Sequence, residues 1–297
     1  MQLKKINGHT YYIPGATNTG VYTTKNGSCL LIDSGINNTV ARKIRDTLVA
    51  GNLKPKYLLT THGHADHFGA HHLLQQFYPD LQILASPGEK PFMADSLLGL
   101  KALYGAIPFA EIKVPLLYAR SVTVDADIDP GPLKLLDQRF QAVATPGHSA
   151  GHLAFLTPDG VLFSGDAVYH PAILAKYPLP FLQDVGAGLT TLASLADLEI
   201  KYLLPAHSPE VITDPGAVWA ENRRRVNACL EKIATLLARP LTREELLAEL
   251  ARQEGIPLDM PQYFLNLACI SAFISYLKDH GRLACALENG RLYFFAT

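Results

Sequence analysis

The segment Thr61-His-Gly-His-Ala-Asp-His67 places His62, His64, Asp66 and His67 within one short stretch. Neutral imidazole and carboxylate are ligands suited to zinc, iron or manganese. A histidine-rich surface loop is the plain alternative, and the density of ligand types argues against it. Three further candidates stand downstream: His148 in Thr145-Pro-Gly-His-Ser149, Asp166 in Phe163-Ser-Gly-Asp166, and His207 in Leu204-Pro-Ala-His207. Each alone reads most simply as a turn or capping residue. Tyr169 and His170 follow Asp166 closely and are candidates for hydrogen bonding substrate or stabilising an oxyanion, with packing as the alternative. Of His71 and His72, one is expected to support the cluster and the other to face solvent. His152 is expected to support the His148 loop, and His9 and His280 carry no argument.

The order HxHxDH, PGHS, SGD, PAH resembles the metallo-β-lactamase superfamily over roughly residues 1–210. The resemblance implies a four-layer αββα sandwich with metals at one edge of two sheets. It implies that His62, His64 and His148 hold one metal, that Asp66, His67 and His207 hold the other, and that Asp166 bridges them. Asp33, in Leu31-Ile32-Asp33-Ser34-Gly35, is then a supporting residue and not a ligand. Two divalent ions about 3.5–4 Å apart lower the pKa of a shared water and polarise a carbonyl or phosphoryl oxygen. Zinc is the expected metal, with iron and manganese as alternatives. Asp66 is the candidate to orient the attacking water and relay its proton.

Short β-rich runs at residues 21–24 and 28–32, joined at Asn26-Gly27, read as a hairpin. Residues 37–50 have helical spacing, 57–61 form a short strand that runs into the histidine cluster, 70–77 are helical, and 82–85 form another strand. Residues 87–130 lose any clean period and carry several prolines, so they read as an insertion or cap. The apolar block at 97–118 is expected either to cover the metal cleft and admit an apolar substrate group, or to pack on a second subunit. Strand patterns return at 133–136, 140–145, 153–156 and 161–164, then a helix at 187–196 and a strand at 202–205. Mixed strands and helices of this kind fit a layered α/β sandwich.

A boundary is expected near Asp214-Pro215-Gly216, dividing a catalytic domain at 1–214 from a small domain at 215–297. The tail predicts a helix at 218–238, a second opened by a Thr242–Glu245 capping box and ended by Gly255, and a third starting near Pro261. A hairpin across Glu288-Asn289-Gly290 follows. Three helices and a hairpin resemble a winged-helix module.

With 48% apolar and 18% charged residues, the chain has ample material for a core, and its net charge of −1 gives no global attraction to nucleic acid or anionic membrane. In the tail ten lysines and arginines meet nine aspartates and glutamates, and the third helix is strongly apolar with one lysine. Packing or a homodimer contact is therefore favoured there over nucleic-acid binding. The four cysteines form no CxxC pattern and read as reduced thiols. The opening residues lack an apolar targeting core, and a cytoplasmic location is expected. The leading function is hydrolysis of an ester, thioester or lactone in a small-molecule substrate. Cationic glutathione-binding residues of glyoxalase-II-like thioesterases have no clear counterpart. The alternatives are a phosphodiesterase or ribonuclease of the same fold, and a persulfide dioxygenase with a single iron.

Overall fold

The computed structural model describes residues 2–297. Strands β1 (Lys4–Asn7), β2 (Thr10–Ile13), β3 (Thr19–Thr23) and β4 (Ser28–Ile32) form an antiparallel meander. Helix α1 (Asn38–Ala50) returns the chain to β5 (Lys54–Leu59), parallel to β4. The short α2 (Ala65–Phe68) and α3 (His71–Phe77) lead to β6 (Gln82–Ala85). Helices α4 (Lys90–Ala94) and α5 (Leu97–Tyr104), with a 3-10 turn at Ala110–Ile112, lead to β7 (Ala126–Asp127). These strands lie side by side in chain order, β4 to β7 parallel.

A second sheet runs antiparallel through β8 (Gly131–Leu135), β9 (Gln138–Ala144), β10 (Leu153–Leu156) and β11 (Val161–Gly165). Helices α6 (Pro171–Lys176) and α7 (Val185–Ala196) then cross over to β12 (Tyr202–Pro205), parallel to β11. The tail holds α8 (Pro215–Leu236), α9 (Arg243–Glu254) and α10 (Met260–Asp279), then the hairpin of β13 (Leu283–Glu288) and β14 (Arg291–Ala296).

Strand alternation sorts the apolar side chains into layers. In the first sheet Leu31, Leu58 and Ile83 face the helices and meet Ile44, Leu48 and Leu74. Their sequence neighbours Leu30, Ile32, Leu59 and Leu84 face the second sheet and meet Phe155, Phe163 and Leu204. Ala154, Leu162 and Leu203 point out of the second sheet and lie under Leu192, Leu195, Val218 and Trp219. The result is the expected order of layers: helix, sheet, sheet, helix. No helix among the described residues is long and apolar enough to cross a membrane.

Some differences from the sequence expectation have local causes. The strands β1 and β2 carry weak patterns, since β1 is mostly exposed while β2 is buried by its neighbours. The β8–β9 hairpin turns at Leu136 and Asp137, both at positive φ (52° and 56°). A turn of that type favours Asn and Gly, so leucine there gives no signal. The segment 87–130 is the β6-to-β7 crossover, enlarged by two helices.

In the tail, Thr242 Oγ1 accepts from Glu245 N and Glu245 Oε2 accepts from Thr242 N, and Gly255 ends α9 in the left-handed region. The expected boundary at residue 214 coincides with the start of α8, but that helix serves both sides of it. Its first turns bury Val218 and Trp219 against the second sheet, while Val226, Leu230 and Ile233 enter a core shared with α9 and α10. Leu179, Leu182 and Val185, from before the boundary, belong to the same core.

Candidate metal centre

The ends of β4, β5, β9, β11 and β12 open on one edge of the sandwich, where strand ends present loops free of ladder hydrogen bonds. His62 and His64 leave β5, and α2 carries Asp66 and His67. His148 sits on the β9–β10 turn, Asp166 just beyond β11, and His207 just beyond β12. At Gly165 a Cβ would lie 2.7 Å from His152 Nε2 and 2.8 Å from Thr61 Oγ1, so only glycine lets the chain turn there (φ +53°) to present Asp166.

The seven expected ligand residues converge. His64 Nδ1 lies 3.0 Å from His62 Nε2 and 2.8 Å from His148 Nε2. On the other side, His207 Nε2 lies 3.4 Å from Asp66 Oδ2 and 3.3 Å from Asp166 Oδ1. Asp166 faces both groups: Oδ1 is 3.5 Å from His67 Nε2, and Oδ2 is 3.7 Å from His148 Nε2. Three sets of ligand atoms draw close enough to hold a metal ion: His62–His64–His148, His62–His67–Asp166 and Asp66–His67–His207.

The donor set fits a cation. His67 Nε2 and Asp166 Oδ1 are buried without a hydrogen-bond partner, and unpaired buried polar atoms of this kind are costly. Burial by itself disfavours charge on every group here. For Asp66 the facing His67 and His207 outweigh burial and hold the carboxyl down at about 2. For His67, burial is likewise outweighed, by Asp166, Asp66 and Asp33, which raise it to about 10. On the other side burial prevails: it pushes His148 down to about 3 and His62 well below its ordinary value. The imidazoles of one set are thus held neutral, and the carboxylates draw positive charge to the other.

Outer contacts fix the rings. His67 Nδ1 pairs with Asp33 Oδ2 at 2.8 Å, and Asp33 also accepts from Thr61 N and Thr61 Oγ1. Asp33 does this from a left-handed backbone (φ 55°), a conformation aspartate tolerates better than most residues. Its expected supporting role is therefore given specific partners. His207 Nδ1 donates to Ala16 O at 2.6 Å, leaving Nε2 toward the centre. His148 Nδ1 lies 2.9 Å from Tyr169 Oη and 3.1 Å from Phe181 O. An N–H at Nδ1 in each case leaves the Nε2 lone pair for a metal.

His152 lies against the His148 loop as expected, through Thr145 Oγ1, and its Nε2 also accepts from Asp166 N. His71 is buried between Ser34 Oγ and Thr60 Oγ1, whereas His72 is half-buried and meets the exposed Gln76. Tyr169 reaches the centre from behind His148 and also lines the cleft. His170 does not join it. Its Nδ1 accepts from Ala172 N at the start of α6, its Nε2 lies 3.7 Å from Glu210, and it is not among the cleft-lining residues.

One residue escaped the sequence reading. Glu89, 2% exposed, accepts from Gly63 N through Oε2 and from Ser149 Oγ and Gly151 N through Oε1. It thereby ties the β5 loop to the β9–β10 loop. Lying in the segment without a period, it offered no motif to find it by.

Above the centre opens a cleft of about 1370 Å³. Leu100, Leu103, Leu116 and Leu117 from the crossover form one wall, and Leu265, Ala268 and Ala272 of α10 belong to another. The apolar block at 97–118 therefore lines the cleft above the candidate centre, in the manner of the first of its two expected roles. Tyr104 and Phe109 meet Phe264 of α10 edge-on, with ring centroids 5.5 and 6.2 Å apart, and join the two walls.

The sequence model of the metallo-beta-lactamase superfamily matches residues 12–207, about two thirds of the chain. The chain belongs to this superfamily. Among similar proteins, the hydroxyacylglutathione hydrolase of Buchnera aphidicola subsp. Baizongia pistaciae (strain Bp) is 32% identical over 48% of this chain and 43% of its own length. The match thus spans less than half of that relative. A protein of Bacillus subtilis (strain 168) named "Probable metallo-hydrolase" is 26% identical over 61% of this chain and 75% of its own length. Among solved structures, a metallo-beta-lactamase family protein from Thermus thermophilus superposes with a TM-score of 0.76 at 22% identity, covering 97% of this chain and 99% of that one. A beta-lactamase domain protein from Burkholderia ambifaria gives 0.78 at 19% identity, covering 99% and 93%. The likeness of fold therefore includes the C-terminal helices.

Proposed function

We propose that this chain is a hydrolase that uses two divalent metal ions, zinc foremost, to cleave an ester, thioester or lactone. The observation that carries this reading is the placement of Asp166, whose two oxygens face two separate sets of histidines. His62, His64 and His148 would hold one ion, Asp66, His67 and His207 the other, and Asp166 would join them. Bound there, such ions supply an activated water near neutral pH and polarise the scissile carbonyl.

The chain's own residues do the rest. Asp33, Tyr169 and the Ala16 carbonyl hold His67, His148 and His207 in the orientations that binding needs. The carboxylate of Asp66 is assigned to orient the attacking water and take its proton. That proton then passes to the leaving alkoxide or thiolate as its bond to the acyl carbon breaks. The similarity to hydroxyacylglutathione hydrolases supports thioester or related acyl chemistry.

The alternatives have less support. Lys176 is the one lysine or arginine among the described residues lining the cleft, which suits a nucleic-acid backbone poorly. A dioxygenase with one iron would leave the Asp66–His67–His207 set unused. The C-terminal segment is read as a winged-helix-like module that packs on the catalytic part. The deciding experiment is metal analysis of the purified protein together with a panel of thioester, lactone, phosphodiester and persulfide substrates. Two equivalents of metal with acyl turnover are expected. One iron with oxygen uptake defeats the reading.

A further inference from the structure

We infer that the cleft selects a neutral acyl substrate with a long aliphatic chain, the chain lying between the crossover and α10. The inference rests on the acyl-hydrolase reading and adds the class of molecule. Its first support is the layout of the cleft. Ligand-bearing residues form the floor, and the walls that rise from it are lined by Leu100, Leu103, Leu116, Leu117 and Leu265. Small side chains at Ala102 on one wall and Ala268 and Ala272 on the other leave space between them. At about 1370 Å³ the space exceeds the roughly 300–1,000 Å³ typical of small-molecule sites, so a short polar ester would leave most of it empty.

The second support is charge. Glutathione conjugates, coenzyme A thioesters and phosphodiesters all carry anionic groups that need cationic partners. The cleft lining offers Lys176, whose Nζ lies 5.0 Å from the Tyr177 ring centroid, while Asp184 and Asp279 line the same cleft. Such a lining repels a polyanion and tolerates a neutral chain. A third feature is the crossover's own surface, where Leu98, Ile107 and Tyr118 are exposed and do not line the cleft. Apolar side chains exposed on the segment that supplies a cleft wall give an amphiphile a first contact before it enters.

The test is a series of p-nitrophenyl esters from acetyl through butyryl and octanoyl to dodecanoyl, with S-lactoylglutathione beside them, on metal-loaded protein. Calorimetric titration with 1-octanol and 1-butanol reads the same site without turnover. Each methylene that becomes buried should raise kcat/KM by up to about fourfold until the cleft is filled, and octanol should bind more tightly than butanol. Ala272→Phe, which narrows the cleft, should lower the dodecanoyl-to-acetyl ratio of kcat/KM by about tenfold or more. Ala102→Phe, on the exposed opposite wall, makes the same test should the first variant fail to fold.

A flat or falling chain-length profile, or a preference for S-lactoylglutathione, overturns the inference while leaving acyl hydrolysis standing. Absence of turnover on every ester and thioester defeats acyl hydrolysis instead. In that event tighter binding of octanol than butanol keeps the aliphatic site, and equal binding removes it too.

Discussion

At the scale of single residues, the candidate centre buries two polar atoms, His67 Nε2 and Asp166 Oδ1, that lack a hydrogen-bond partner and that a cation would satisfy. Asp166→Ala removes the carboxylate that faces both histidine sets, and His64→Ala removes the nitrogen closest to both His62 and His148. Both variants should lose metal and turnover by more than the roughly 10–100-fold that follows loss of an outer hydrogen-bond partner. Metal analysis and ester hydrolysis read this, and full turnover in either variant contradicts the assignment. His71 supports a second expectation. Burial first, and then nearby His67, lowers it to about 3 from an ordinary 6.5. Between those values the unfolded chain binds the extra proton, so stability is full above about 6.5 and declines as pH falls toward 3. His71→Gln should flatten stability against pH between 5 and 6 by about 1.4 kcal/mol per pH unit. Paired urea titrations measure it, and an unchanged slope removes His71 from the account.

The candidate ligand residues were legible because their types and order stand out in one sequence. Their supports were less so. Asp33 lay in a recognisable turn, but its link to His67 needs Thr61 and a left-handed backbone to be seen. Glu89 could not be read at all, since its partners Gly63, Ser149 and Gly151 meet it only after two loops from different sheets come together.

At the scale of elements, the crossover between β6 and β7 is held to the centre by that same glutamate. Glu89→Ala leaves the amides of Gly63 and Gly151 and the Ser149 hydroxyl without an acceptor, at a cost of about 1–3 kcal/mol for each left buried. Melting should fall by several degrees, and turnover should fall as well, because Gly63 separates His62 from His64. Thermal melts beside kcat measure both, and Glu89→Gln, which keeps an oxygen acceptor, should be milder. An alanine variant that melts and turns over like the parent contradicts the strap. Elements with strong periods, such as α1 and the β10–β11 strands, matched their sequence patterns closely. The crossover did not, because its helices are short and its apolar residues face a cleft as well as a core.

At the scale of the whole molecule, the expected division at residue 214 separates parts that share buried surface. A fragment of residues 1–214 would expose Leu179, Leu182 and Val185, and uncover the face of the second sheet that Val218 and Trp219 protect. It should aggregate or melt well below the full chain, as size-exclusion chromatography and calorimetry would report. A monomeric fragment with the parent's melting temperature would establish two independent units. The helices of the tail were readable from their caps and periods. Their contribution to a cleft wall was not, because it depends on where α10 comes to rest against α5.

Trp219 is the single tryptophan of the chain, 7% exposed, at the seam between α8 and the second sheet. The molecule therefore carries a natural optical gauge at its principal joint. Its emission should shift to the red when α8 lifts from the sheet, whatever happens in the distant β1–β4 meander. Followed beside far-ultraviolet circular dichroism during unfolding, it tells whether the tail detaches before the sandwich melts or together with it. Coincident curves mean that joint and sandwich give way as one.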